Sequence, residues 1–122
     1  MPFNTAFEFV PIDKRRTVSK PRKSGITMVS DYQLGLASLS DLIEVAGHYI
    51  DLFKIATGTS RLFEKTHLQA KIEMLRANDI RPFLGGQFQE YVLHTMGVDA
   101  MPRHLSEAQA LGFDIIEISD NM

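Results

Sequence analysis

Cysteine is absent from the 122 residues, which excludes disulfides, thiolate metal sites and a thiol nucleophile within the chain and is compatible with a reducing compartment. Long apolar runs are absent too: nothing approaches the roughly 18–20 consecutive apolar residues of a membrane span. The opening residues, Met1 to Val10, lack the basic-then-apolar order of a secretory signal, so the expected location is cytoplasmic. Excess charge of one sign is also missing. The 13 Lys and Arg stand against 15 Asp and Glu, for a formal net charge of -2, which gives no general attraction to nucleic acid or to an anionic membrane. Basic residues do cluster at Lys14-Arg15-Arg16 and Lys20-Pro21-Arg22-Lys23, but without interleaved aromatics. A solvated arm is expected there, and neither nucleic acid nor membrane is expected as a partner. The histidines His48, His67, His94 and His104 show no metal-ligand spacing.

What is present is an ordinary globular composition, 44% hydrophobic and 23% charged, in a length that suits one domain with a modest core. Residues 1–24 form a polar, proline-containing lead without sustained periodicity, expected as an arm, and residues 25–122 are expected as the domain. Four apolar runs, at 26–30, 52–55, 80–84 and 113–119, read as strands, each of the first three followed by a helical pattern. The first helix is expected to take its caps from Ser38-Leu39-Ser40-Asp41 and to end near Gly47. The second, about 61–78, turns Leu68, Ile72 and Leu75 inward and places Lys65, Gln69, Lys71 and Glu73 largely on other faces. Further helices are expected around 88–96 and 104–111, the last stopped by Gly112.

Three of the strands carry an ionisable residue that a buried parallel strand should lack: Asp31 at the end of the first, Lys54 inside the second and Glu117 inside the fourth. Such a charge must be paired or face a polar cavity. Repeated strand-then-helix units predict an α/β fold with a parallel sheet, and right-handed crossovers put all strand C-termini on one side. Asp31, the turn Thr57-Gly58-Thr59-Ser60, Gly85-Gly86 and Ser119-Asp120 would meet there. Two readings of Glu117 stay open, a catalytic or metal-binding carboxylate and a structural partner of Lys54. For Asp31 a turn or helix cap competes with metal ligation. Glu90 opens the third helix, as a second-layer acid or simply as a first-turn acid.

Lys20-Pro21-Arg22, Gly25, Asp31, Tyr49-Ile50-Asp51, Lys54, Gly58-Thr59-Ser60, Gly85-Gly86, Glu90 and Glu117-Ile118-Ser119 resemble, in order and spacing, the first half of the phosphosulfolactate synthase family. The resemblance implies half of a TIM (β/α)8 barrel and a lyase that adds sulfite to phosphoenolpyruvate with Mg2+, giving phosphosulfolactate on the way to coenzyme M or related sulfonates. Plant heat-stress-associated proteins look like relatives that need not keep this activity. For that chemistry, Lys54 and Glu117 are expected as catalytic residues, Asp31 and Glu117, at strand C-terminal ends, as metal ligands, and Ser119 as a substrate contact. Arg22 is expected either as a substrate contact that reaches over the barrel mouth or as a solvated residue, while the resemblance raises Gly58, Thr59, Ser60, Gly85 and Gly86 from ordinary turns to substrate contacts. Two segments depart from the family pattern: Ile55-Ala56-Thr57, where a Gly-Trp pair is typical, and Gln87-Phe88-Gln89 after Gly85-Gly86. A full barrel needs roughly 250 residues and eight strands. The chain is therefore expected to be completed by a C-terminal half or by a second copy in a homo-oligomer, and to lack much of the machinery alone.

Overall fold

The computed structural model describes residues 4–121. Met1 to Phe3 of the expected arm, and Met122 at the end of the expected domain, lie outside the described residues. Strands β1 (Met28–Asp31), β2 (Leu52–Ile55), β3 (Arg81–Leu84) and β4 (Ile115–Ile116) form one parallel sheet in chain order. Between them run α1 (Leu36–Ala46), α2 (Lys65–Ala77), α3 (Gly86–Met96) and α4 (Met101–Leu111). A strand order that never reverses keeps right-handed crossovers on one face, whereas a doubly wound sheet changes direction at a switch point. This is the α/β fold of parallel β/α units expected, in the order of half a (β/α)8 barrel.

The register sorts the strand residues by face. Asp31, Ile55, Leu84 and Ile116 lie in one row, and Ser30, Lys54, Phe83 and Ile115 in the row that faces the other way. The first face belongs to the core: Phe53, Ile55 and Leu84 pack with Leu39 of α1, Leu68, Ile72 and Leu75 of α2, and Ala108 of α4. The opposite face is only partly covered: Phe83 is buried there, Lys54 and Ile115 are half-buried, and Met28 at its edge is 51% exposed. Gly112 ends α4 in the left-handed conformation at φ 109°, and a Cβ there would come within 2.8 Å of Ile72 Cγ2. Both its backbone and its lack of a side chain let α4 settle on α2.

Several boundaries differ from expectation for local reasons. Helix α1 starts at Leu36, capped by the extended Gly35, so Ser38, Ser40 and Asp41 lie on the helix's solvent face and are not its caps. Leu36, Leu39, Ile43 and Ala46 then complete an inward stripe that begins earlier than the polar signals suggest. Residues Thr59–Arg61 form a single 3₁₀ turn before α2. Helix α3 starts two residues early, and α4 starts at Met101, with Pro102 in its first turn, where a missing N–H costs nothing. Lys71 is the sharpest correction: far from lying on an outer face of α2, it is fully buried.

The arm is irregular and covers the N-terminal rim of the sheet. Lys20 Nζ donates to the carbonyls of Gly47 (2.7 Å), Asn78 (3.3 Å) and Asp79 (3.2 Å), gathering the turns that lead into β2 and β3. Arg22 pairs with Asp51 at 2.8 Å and donates to the carbonyls of Thr17 (3.0 Å) and His48 (2.6 Å), while Asp51 also accepts the Thr27 N–H at 2.8 Å. Arg16 stacks on Tyr49, 4.9 Å from the ring centroid. Part of the basic cluster is therefore structural. Arg22 is a buried pin at the strand N-termini, about 10 Å along β2 from Lys54, neither solvated nor directed at the opposite mouth, the two readings its position had left open.

Candidate active site

Lys54 projects from β2 on the partly covered face, and Glu117 lies one residue beyond β4, where its N–H still continues the ladder to the Leu84 carbonyl at 3.2 Å. The Lys54 ammonium sits 3.0 Å and 3.2 Å from the two Glu117 oxygens. The alternative left open by the sequence, a Lys54–Glu117 pair, is thus present. It is not sealed in an apolar core, because the two side chains keep 22% and 34% of their surface exposed. An ammonium has three donors, so two committed to Glu117 leave one for a ligand.

Gly85-Gly86 makes this approach possible. The Gly86 N–H donates to Glu117 Oε1 at 2.9 Å. A Cβ on Gly86 would sit 2.8 Å from Ser119 Cβ and 3.0 Å from Glu117 Oε1, and one on Gly85 would sit 3.1 Å from Lys54 Cε. Neither glycine has a positive φ, so space and not backbone freedom demands them. The Gly86 N–H and then the Lys54 ammonium hold the Glu117 carboxyl below its ordinary range, outweighing burial and the repulsion of Glu90. Glu117 is accordingly a carboxylate at neutral pH.

The pair opens onto a polar cleft of about 170 Å³, lined by Tyr32, Lys54, Ala56, Thr57, Gln87, Glu117, Ser119 and Asn121. Buried Glu90 of α3 anchors one wall by accepting the Ser119 hydroxyl at 2.8 Å and the Asn121 N–H. The Ser119 N–H reaches Gln89 Oε1 at 3.4 Å. Across the cleft, Thr57 adopts φ 50°, and its hydroxyl and that of Thr59 both donate to the Ala56 carbonyl at 2.8 Å. Of the residues expected to contact substrate, Ser119 lines the cleft, and Gly85 and Gly86 shape it from below. Gly58, Thr59 and Ser60 continue the turn that Thr57 begins, but they do not line it.

Asp31 departs from expectation. Register places it on the helix side of the sheet, one row away from Lys54. There its carboxylate meets the Lys71 ammonium and accepts the N–H groups of Gln33 (3.0 Å) and Leu34 (2.9 Å). Asp31 thus caps the turn after β1, on the face of the sheet opposite Glu117. Among the described residues no group of three or more His, Asp or Glu is placed to hold an ion, and Glu117 already faces an ammonium, which repels a second cation.

Tyr32 and Asn121 stand in loops and Gln87 in the first turn of α3, none within a pattern that marks it from the residues alone. Lys71 did leave a signal. It stands three residues after Leu68 and four before Leu75, on the apolar stripe itself. Among the described residues no helix is long and apolar enough to cross a membrane.

Residues 15–122 match the model of the family described as (2R)-phospho-3-sulfolactate synthase. The chain is 37% identical over 94% of its length to the phosphosulfolactate synthase of Methanothermobacter thermautotrophicus, covering 42% of that protein. It is 33% identical, again over 94% of its length, to the phosphosulfolactate synthase of Methanocaldococcus jannaschii, covering 41%. Over 84% of its length it is 28% identical to the Arabidopsis thaliana protein heat-stress-associated 32, covering 36% of that protein. It thus spans about two-fifths of the length of the curated synthases it matches.

Proposed function

The chain belongs to the (2R)-phospho-3-sulfolactate synthase family, and on that premise we propose that its Lys54–Glu117 cleft serves the addition of sulfite to phosphoenolpyruvate. One observation carries this reading: a partly exposed ammonium, oriented by a carboxylate that a backbone N–H in turn holds, opens into a polar cleft at the strand C-terminal rim. Active sites of (β/α)8 enzymes lie at that rim.

The chemistry asks for such a group. Sulfite sulfur bonds to the methylene carbon of phosphoenolpyruvate, the carbon–carbon π pair moves toward the carboxylate as an enolate-like dianion, and a proton then adds to the carbon bearing the phosphate. Nothing leaves. The free Lys54 donor offsets the charge that grows on the substrate carboxylate, where a fixed cation in a partly dry site acts most strongly. Glu117 aims that ammonium and keeps it from folding back on other anions. Ser119 and the Thr57 backbone supply polar edges to the same space.

The test supplies the remaining barrel units in trans, from the Methanothermobacter relative, in buffer containing sulfite, phosphoenolpyruvate and magnesium. Sulfite-dependent loss of the phosphoenolpyruvate phosphorus signal is expected, and Lys54→Ala is expected to lower the rate by at least about 100-fold. A wild-type mixture that assembles without turning over sinks the proposal. A second reading, a non-catalytic anion-binding or protein-interaction relative, draws on the similarity to the plant protein and on Ala56-Thr57 in the loop after β2. Phosphoenolpyruvate binding without turnover would favour it.

A further inference from the structure

Lys71 has no surface at all, although it carries a charge. Its ammonium lies against the Asp31 carboxylate, donates to the Leu34 carbonyl at 2.7 Å and sits 5.2 Å from the centroid of the Phe63 ring. Asp31 and Leu34 bracket the start of the loop from β1 to α1, and Phe63 stands near the end of the loop from β2 to α2. Each loop gives the cleft a residue, Tyr32 from the first and Thr57 from the second. A well-packed apolar residue of similar volume often stabilises a core as well as a buried ion pair does. What an apolar residue cannot do is make directed bonds to the first loop, as Lys71 does to Asp31 and Leu34, while meeting the second loop through the face of Phe63.

We infer that Lys71 is a positioning residue for the cleft: together with Asp31 it fixes the loop that holds Tyr32 beside Lys54. It touches no ligand. The inference rests on the reading of the cleft as an anion site and deepens it, by naming what sets the cleft's shape from behind the sheet.

Removing Lys71 alone would strand the Asp31 carboxylate, so both are replaced. Asp31→Asn with Lys71→Met keeps the volume and an acceptor for the Gln33 and Leu34 N–H groups. In this double variant the melting temperature is expected to hold. The Gln33 and Leu34 amides are expected to exchange at least about tenfold faster while Ile72 and Leu75 stay protected. Phosphoenolpyruvate, titrated against the Gly86 amide signal, is expected to bind about tenfold more weakly, the scale of one lost charge-assisted hydrogen bond. Asp31→Asn with Lys71→Gln, which keeps a donor for Leu34, is expected to restore most of both. Unchanged exchange, or unchanged affinity with a loosened loop, overturns the inference. If the wild-type chain does not bind phosphoenolpyruvate at all, the anion reading fails by itself, and the exchange of Gln33 and Leu34 alone decides whether Lys71 holds the loop.

Discussion

Gly86→Ala is expected to cost about 3 kcal/mol or more and to take the candidate site apart. Inserting one methyl into a packed region usually costs about 1–3 kcal/mol because neighbours can shift. Here they have little room. The new Cβ would overlap the Ser119 hydroxyl, approach Ser119 Cβ to 2.8 Å and Glu117 Oε1 to 3.0 Å, and all of these are already bonded. Ser119 is tied to Glu90 at 2.8 Å, and Glu117 to both Lys54 and the Gly86 N–H. Relief requires either breaking the Glu117 contacts or sliding α3 off β4. Urea denaturation should show the loss, and the Glu117 carboxyl should titrate closer to its ordinary value, since the Gly86 N–H is the largest influence lowering it. Gly58→Ala is the control. Its φ is −97°, and a Cβ there meets only Phe88 Cδ1 at an ordinary 3.7 Å, so an effect within about 0.5 kcal/mol is expected.

Asp51→Ala should destabilise the chain by about 3–5 kcal/mol, the usual result of removing one partner from a buried pair. The side chains of Arg22 and Asp51 are 7% and 9% exposed. The substitution leaves the guanidinium without its counter-ion and the Thr27 N–H without its acceptor. Its pH dependence gives a second signature. Burial pushes the Asp51 carboxyl upward, but the Thr27 N–H and the Arg22 guanidinium together outweigh it and hold the group below its ordinary 3.8. A carboxylate lowered by folding contributes stability that is complete above the unfolded value and fades as pH falls through the folded one. Wild-type stability should therefore drop as pH is taken below about 4, and this component of the drop should vanish in Asp51→Ala. Equal acid slopes in the two proteins would contradict the assignment.

The two ends of the sheet differ in how far the residues alone reveal them. Strand β2 begins and ends where its apolar run does, and a lysine in that run, with a glutamate in the fourth, was enough to bring Lys54 and Glu117 forward as a facing pair. Gly85-Gly86 carried only a resemblance until the approach of Ser119 and Glu117 gave it a steric reason. Asp31 was misassigned because strand side chains alternate, and a one-residue uncertainty in register moves a side chain to the other face of a sheet. Ser30, not Asp31, aligns with Lys54. Arg22 was misplaced because the path of an irregular arm leaves no periodic trace. Lys71 was misread for a different reason: its position marked it as inward, its charge suggested otherwise, and a buried carboxylate 40 residues earlier in the chain resolved the conflict.

On the proposed reading, the cleft at Lys54 and Glu117, not the basic arm at the other rim, receives a small anion. The direct measurement is a titration of the chain with phosphoenolpyruvate followed by nuclear magnetic resonance, observing the Lys54 side chain and the Gly86 amide beside the Arg15, Arg16 and Arg22 side chains. Saturable shifts at Lys54 and Gly86, lost in Lys54→Ala and accompanied by no movement of the arginines, are the predicted result. Shifts confined to the arginines, or none at Lys54, would contradict it.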